Sequence, residues 1–312
     1  MRPALRAGAL LTLAALTGGP ITPSAREVPG SVEGPRPTPG FYAPTDLPSP
    51  GLFAPTGPTP HFFAPTALPG ARQYTEPCQR RVETTPRGYE YYFTRGVYSD
   101  GGRGRGFFGR GRGGRNWATD FPKADQQFLI VVQRLANLGS YMCENAVSLE
   151  DPELRRYPFL YILEVGSMSL TDAELEGLRG YLMAGGFLVV DDFWGDWEWD
   201  TFESEITRVL PEFPIVDLPM EHELFTTFYD IEEILQVPSI NNAMGGWYSE
   251  CGPCRPFVKG IFDQEGRLIV VINGNTDLGD AWEWAERPEY PLDYSTYAYE
   301  MGVNMIVYSM SH

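Results

Sequence analysis

The carboxy-terminal part of this sequence predicts an α/β fold in which a mostly parallel sheet is layered with helices. Three observations carry that expectation. Phe159-Leu-Tyr-Ile-Leu163 and Phe187-Leu-Val-Val190 are short, uninterrupted apolar runs, as expected of parallel strands buried on both faces. Between them Thr171-x-x-Glu174 is a capping box that opens a helix, Leu175, Leu178 and Leu182 make its apolar stripe, and Gly185-Gly186 stops it. The stretch from about residue 90 to His312 is the right length for one domain.

The remaining elements follow in order. Glu90-Tyr-Tyr-Phe-Thr94 is rich in strand formers, and Pro122 opens a helix in which Phe128, Val131, Val132 and Leu135 share a face. The strand-helix-strand unit around residues 159–190 should be right-handed, with its helix packed on the sheet. A helix from Asp200 should bury Phe202, Ile206, Val209 and Leu210. Gly260–Asp263 and Leu268–Ile272 read as strands joined by a tight turn at Gln264-Glu-Gly266, and Tyr297–Met310 as a terminal helix.

The first 89 residues have a different character. Arg2 and Arg6 precede an almost wholly apolar run from residue 7 to 16, and Pro-Ser-Ala near 25 fits a cleavage site, so residues 1–25 read as an export signal. That run is too short for a spanning helix, no Cys follows it to carry a lipid anchor, and no other stretch approaches membrane-spanning length. The expectation is a periplasmic or extracellular protein without a transmembrane segment in the mature chain. Residues 26–89 are Pro-rich and contain Phe41-Tyr-Ala-Pro-Thr45, Leu52-Phe-Ala-Pro-Thr56 and Phe62-Phe-Ala-Pro-Thr66. Such a segment lacks the apolar content for a core and reads as an extended, disordered tether.

Charge is unevenly distributed. Residues 144–312 carry 32 Asp plus Glu against 8 Lys plus Arg, whereas residues 1–143 carry 16 basic against 9 acidic, which together give the net charge of −17. An acidic domain is a poor partner for nucleic acid. The Arg-Gly loop at 101–115, with Arg103, Arg105, Arg110, Arg112 and Arg115, resembles RNA-binding Arg-Gly segments. In an exported chain it reads instead as an insertion between a strand and the next helix, set against the acidic face of its own domain.

Four cysteines occur, and Cys251-Gly-Pro-Cys254 is the tetrapeptide of thiol-disulfide exchangers. An exchanger needs a preceding strand and a following helix whose N-terminus lowers the first thiol's pKa. Here a Gly-rich polar approach leads in and Pro256 and a strand follow, so a loop-stapling disulfide is expected, with a metal half-site and a catalytic dithiol as the other readings. If all four cysteines are oxidised, three pairings are open. The simplest places one bridge between Cys251 and Cys254 and leaves Cys78 and Cys143 for the other.

Several ordered motifs carry a family resemblance. They are Trp117-Ala-Thr-Asp120-x-Pro122-x-Ala-Asp125, Tyr157-Pro-Phe159-Leu-Tyr161, Leu170-Thr-Asp-Ala-Glu174, Gly185-Gly-Phe-Leu-Val-Val-Asp191-Asp192-x-Trp194-Gly195, Asn275-Thr-Asp277-x-Gly279-Asp280-Ala-Trp282-Glu283, and Gly302-Val-Asn304 with a terminal Ser311-His312. Together these resemble the domain-of-unknown-function 4159 family over about residues 90–312. The resemblance implies a three-layer, flavodoxin-like, mostly parallel sheet with helices on both faces, related to class I glutamine amidotransferases. It also implies frequent occurrence in exported or envelope proteins, and no established activity. The Arg-Gly insertion and the cysteines at 251 and 254 depart from the usual pattern.

In such sheets ligands bind at the carboxyl ends of the strands. Glu164 follows one strand, Asp191 and Asp192 end the next, and Asn275, Asp277 and Asp280 follow a third, so adjacency of the three would bring them to one crevice. Amidotransferase chemistry needs a Cys or Ser nucleophile at a strand-to-helix elbow with a His partner. Ser167 lacks that frame, and of the three histidines only His222 is a plausible imidazole near the crevice. Trp194, Trp199 and Trp282 stand among the acids and suit stacking on sugar faces. The carboxylates themselves allow three readings: caps and core, glycan binding, or acid-base catalysis on a sugar. Asn273-x-Asn275-x-Asp277-x-Gly279-Asp280 hints at calcium without matching an EF-hand, and makes Asp277 and Asp280 the candidate cation ligands. The expected function is therefore a non-catalytic domain binding an envelope protein or glycan at an acidic, Trp-rich crevice, with no cofactor. A carboxylate-based or metal-assisted hydrolase and a thiol-disulfide exchanger are the alternatives.

Overall fold

In the computed structural model, which describes residues 88–89, 91–101 and 116–312, seven strands build one sheet. They are β1 (Thr94–Val97), β2 (Asn145–Ser148), β3 (Phe159–Leu163), β4 (Phe187–Asp191), β5 (Ile215–Asp217), β6 (Phe257–Phe262) and β7 (Leu268–Gly274). Their order is β2-β1-β3-β4-β7-β6-β5, parallel except at the β7-β6 and β6-β5 pairs. The export signal, nearly all of the tether and Arg-Gly residues 102–115 lie outside the described residues.

Among the described residues six α-helices accompany the sheet: α1 (Lys123–Ala136), α2 (Asp172–Met183), α3 (Gly195–Val209), α4 (Ile240–Gly245), α5 (Leu278–Glu283) and α6 (Leu292–Ser311). Alternation along the central strands splits the core in two. Phe159, Tyr161, Leu163, Phe187 and Val189 pack with α1, α5 and α6, while Leu160, Ile162, Leu188 and Val190 pack with α2 and α3. This is the three-layer, flavodoxin-like arrangement the sequence predicts. No helix among the described residues is long and apolar enough to cross a membrane.

The local signals that were complete in sequence hold. In α2, Thr171 Oγ1 accepts from the Glu174 amide at 3.2 Å and Glu174 Oε2 accepts from the Thr171 amide at 2.8 Å, and Glu174 Oε1 also accepts from the Ser99 amide. The β6-turn-β7 hairpin forms, with Asp263 Oδ1 accepting the Glu265 and Arg267 amides across the turn.

Other boundaries shift for identifiable reasons. β1 begins at Thr94 because its ladder partners begin at Asn145 and Tyr161, so Tyr91 and Phe93 pack in the core without extending the strand. In α1 the buried stripe runs through Ala124, Asp125, Phe128, Leu129 and Val132, which leaves Leu135 exposed. The helix expected from Asp200 starts at Gly195, where acidic Asp196 and Glu198 suit its first turn. Residues 278–283, which overlap the stretch that hinted at a calcium loop, form α5, with Asp277 as its N-cap. The short β2, β5 and α4 carry no periodicity long enough to be read in advance.

Candidate functional site

β3, β4 and β7 are adjacent, so the polar residues at their carboxyl ends do meet. Each strand is followed at once by a residue in the left-handed region: Glu164 (φ 55°) after β3, Asp192 (φ 48°) after β4 and Asn275 (φ 57°) after β7. Outside Gly, that conformation is strained and concentrates at functional positions. The three turns are tied together, since the Glu164 amide donates to Asp192 O and the Asn275 amide to Phe193 O.

Several of the acids are occupied with structural work. Asp277 Oδ1 accepts the Asp280 amide at 2.7 Å. Asp280 accepts from the Ile240 amide through Oδ2 and from Trp284 Nε1 through Oδ1. Asn275 Oδ1 accepts from the Gly195 amide, and its Nδ2 donates to Arg255 O. Asp191, fully buried, accepts through Oδ2 from Tyr161 Oη at 2.7 Å and from the amides of Leu278 and Gly279.

Asp120, left outside the candidate set by strand-end reasoning, completes the cluster. One oxygen each from Asp120, Asp280 and Glu283 lies within 4.8 Å of the other two. No N–H or hydroxyl donor among the described residues reaches Asp120 Oδ2 or Asp191 Oδ1, and both atoms are shut off from water, although Asp120 shares hydrogen bonds with the neighbouring carboxyls of Glu283 and Asp280. Gly279 allows this approach, because a Cβ there would sit 2.7 Å from Asp120 Oδ2 and 3.1 Å from Tyr161 Oη.

A buried ion pair holds Asp120 in place. Arg95 on β1 and Asp125 on α1 are both fully buried and meet at 2.5 Å, and Arg95 Nη1 also donates to Trp117 O and Thr119 O. The Trp117-to-Asp125 motif is thus one unit, in which Asp125 neutralises the arginine that clamps the segment carrying Asp120, itself left-handed at φ 60°. The sequence signal was Asp120 and Asp125 in a shared motif; their partner, Arg95, lies 30 residues from Asp125.

The electrostatics follow from crowding of acids in a partly buried site. Burial, and then the charges of Asp280 and Glu283, push the Asp120 carboxyl well above the usual carboxylate range. Asp192 is raised in the same way by burial, then by Glu164 and Asp120, and Asp277 by burial, then by Asp192 and Asp280. Asp280 and Glu283 are raised too, burial first. Asp191 is pushed up to about 7 by burial against the opposing pull of its hydrogen bonds. Arg95 lowers Asp120 and Lys123 lowers Glu283. Arg95 is already bound to Asp125, and Lys123 Nζ sits 2.9 Å from Glu286 and 3.7 Å above the Trp284 ring.

Three expectations need correction. Trp282 is fully buried, with Nε1 donating to Ala298 O, because it fills the core between Phe93, Phe128 and Tyr161. Trp194 is buried with Nε1 on Asp192, and Trp199 packs against Phe193, Phe202 and Phe257. The rings open to solvent are Trp197 and Trp247. His222 sits away from the crevice: its ring packs on Phe262, which pairs with Leu268 at the opposite end of β7, and its Nδ1 accepts the Leu224 amide.

The Cys251–Cys254 pair is disulfide-bonded, with Cα atoms 5.7 Å apart, in the loop between α4 and β6. A strand and not a helix follows, so the pair does not open a helix as an exchanger's cysteines do, although Gly195 at the start of α3 lies beside Cys251. Cys251 Sγ lies 3.5 Å from Asn275 Oδ1, and Cys254 O accepts from Gln236 Nε2, which also donates to Asn275 O. The bridge therefore pins this loop to the end of β7. Cys143 is also disulfide-bonded, and Cys78 lies outside the described residues.

Beside the disulfide an open cleft of about 540 Å³ is lined by Ser239, Asn241, Asn242, Trp247, Ser249 and Glu250. The Ile240–Asp280 hydrogen bond joins its wall to the acidic cluster. On the other flank Ser167 anchors both roots of the Arg-Gly segment, accepting from the Gly101 amide and from Asn116 Nδ2.

The chain matches the family model described as Domain of unknown function (DUF4159) over residues 109–310. No curated protein sequence matches it.

Proposed function

The chain belongs to the DUF4159 family, and we propose that it is an exported, non-catalytic α/β domain. In this reading its crevice, at the ends of β3, β4 and β7, binds a hydroxyl-rich ligand, a glycan of the cell envelope, presented on the Pro-rich tether of residues 26–89. The relation to glutamine amidotransferases that the family resemblance implies would be one of sheet architecture, and would carry no chemistry with it.

The observation that carries the reading is the continuity of acidic cluster and cleft. Fixed carboxylates and left-handed strand ends adjoin Asn241, Asn242, Ser249 and Glu250, with the 71 % exposed Trp247 beside them. Amides, hydroxyls and an open indole face are the groups that hydrogen-bond and stack on a sugar ring. The cleft's volume falls in the range of small-ligand sites.

One feature favours the hydrolase alternative: a carboxyl near neutrality, such as Asp191, suits a general acid or base. Asp191 is sealed beneath Leu278 and Gly279, with Oδ2 held by three donors, so it meets no substrate. That burial supports the binding reading over turnover at Asp191.

A glycan array probed with the purified protein tests this. Binding is expected, lost in Trp247→Ala and retained in Asp192→Asn. Release of cleaved sugar that Asp192→Asn abolishes would replace the binding reading with a hydrolase.

A further inference from the structure

We propose that Asp120, Asp280 and Glu283 bind one hard divalent cation. The cation is part of what the crevice holds, so this proposal rests on the binding reading above. Three carboxylates supply one oxygen each within 4.8 Å of the others. Without a Cβ, Gly279 lets Asp120 Oδ2, Tyr161 Oη and, at 3.5 Å from where that Cβ would stand, Asp277 Oδ1 crowd against its backbone, which gathers further oxygens beside the cluster. Independently of the cluster's charge, Asp120 Oδ2 and Asp191 Oδ1 are shielded oxygens that no N–H or hydroxyl donor among the described residues reaches, and Asp191 is 0 % exposed. Asp191 Oδ2 closes on the amide of that same Gly279, at 3.2 Å. Buried oxygens of this kind are rare unless water or an ion serves them.

The donor set selects the class of ion. Carboxylate oxygens without His or Cys suit calcium, magnesium or manganese. Asp277, expected from sequence as a ligand, is instead held as the cap of α5.

Trp284 provides the readout, because its Nε1 donates to Asp280 Oδ1 at 3.1 Å. Terbium bound in place of calcium should be sensitised by indole excitation. Metal-free protein titrated with terbium is expected to give saturable emission that calcium displaces and that Trp284→Phe diminishes. Glu283→Gln and Asp120→Asn should each weaken binding by at least about tenfold, while Asp196→Asn, an exposed acid on α3, should leave it unchanged. Circular dichroism checks that each variant is folded, and Glu283→Gln, at the half-buried end of α5, serves if Asp120→Asn is not. Absence of saturable emission, or equal loss in Asp196→Asn and Glu283→Gln, overturns the proposal. Glycan binding that persists while no ion binds sinks the cation alone; loss of both sinks the crevice reading as well.

Discussion

Asp120 and Asp125 stand five residues apart on one segment and differ in what they face. Asp125 meets Arg95 in a fully buried pair, and Arg95 Nη1 donates to two backbone carbonyls. Asp120, clamped by that same arginine's grip on Thr119, faces Asp280 and Glu283. One carboxylate has its counter-charge within the protein. The other is held among like charges in a place where burial raises its pKa. Natural chains retain such an arrangement where function requires it, since stability alone would remove it. The contrast separates scaffold from site within a single motif.

The largest expected effect comes from breaking the scaffold half. Arg95→Met leaves Asp125 buried without a partner and should destabilise the fold by about 3–5 kcal/mol in urea denaturation. Adding Asp125→Leu should restore most of that, because the uncompensated charge is gone. A double variant no better than the single one would show that Arg95 acts mainly through the Trp117 and Thr119 carbonyls.

The site half makes the opposite prediction for pH. The Asp191 carboxyl is raised from 3.8 to about 7, so between those values the native state keeps a proton that the unfolded chain has released. Stability therefore falls as pH rises through that window, by about 4 kcal/mol at most from this group. Asp191→Asn keeps an oxygen acceptor for Tyr161 and the α5 amides and should remove this contribution. Measured across a pH series, the variant should gain on the parent as pH climbs from 4 towards 7; a constant difference contradicts the burial argument.

What was legible in the sequence divides along the same line. β3, β4 and the Thr171–Glu174 capping box could be read because their signals are local: a continuous apolar run, and two side chains three residues apart. The meeting of Glu164, Asp191, Asp192 and Asn275 was legible once their strands were taken as neighbours, since parallel strands deliver their ends to one edge. Trp282 and Trp247 could not be told apart, because burial of an indole is decided by α6 and by Phe128, far away in sequence. Asp120 was missed for a similar reason, as its position depends on an arginine from β1. Two motif residues with no evident role proved to be packing devices. Gly302 lets Phe128 and Trp282 press against α6, and buried Asn304 holds the Phe228 and Tyr229 amides.

The claim that most needs testing is that the Asp120 carboxylate is kept against the interest of the fold. Asn adopts the left-handed conformation of residue 120 readily, so Asp120→Asn removes charge while sparing the backbone. In chelator at neutral pH, the variant is expected to be more stable than the parent by about 1–2 kcal/mol, because Asn carries neither a charge beside Asp280 and Glu283 nor the cost of holding a proton that the unfolded chain releases. A variant less stable than the parent by about 1 kcal/mol or more, the common outcome of changing a buried structural residue, would make Asp120 part of the scaffold and contradict the account.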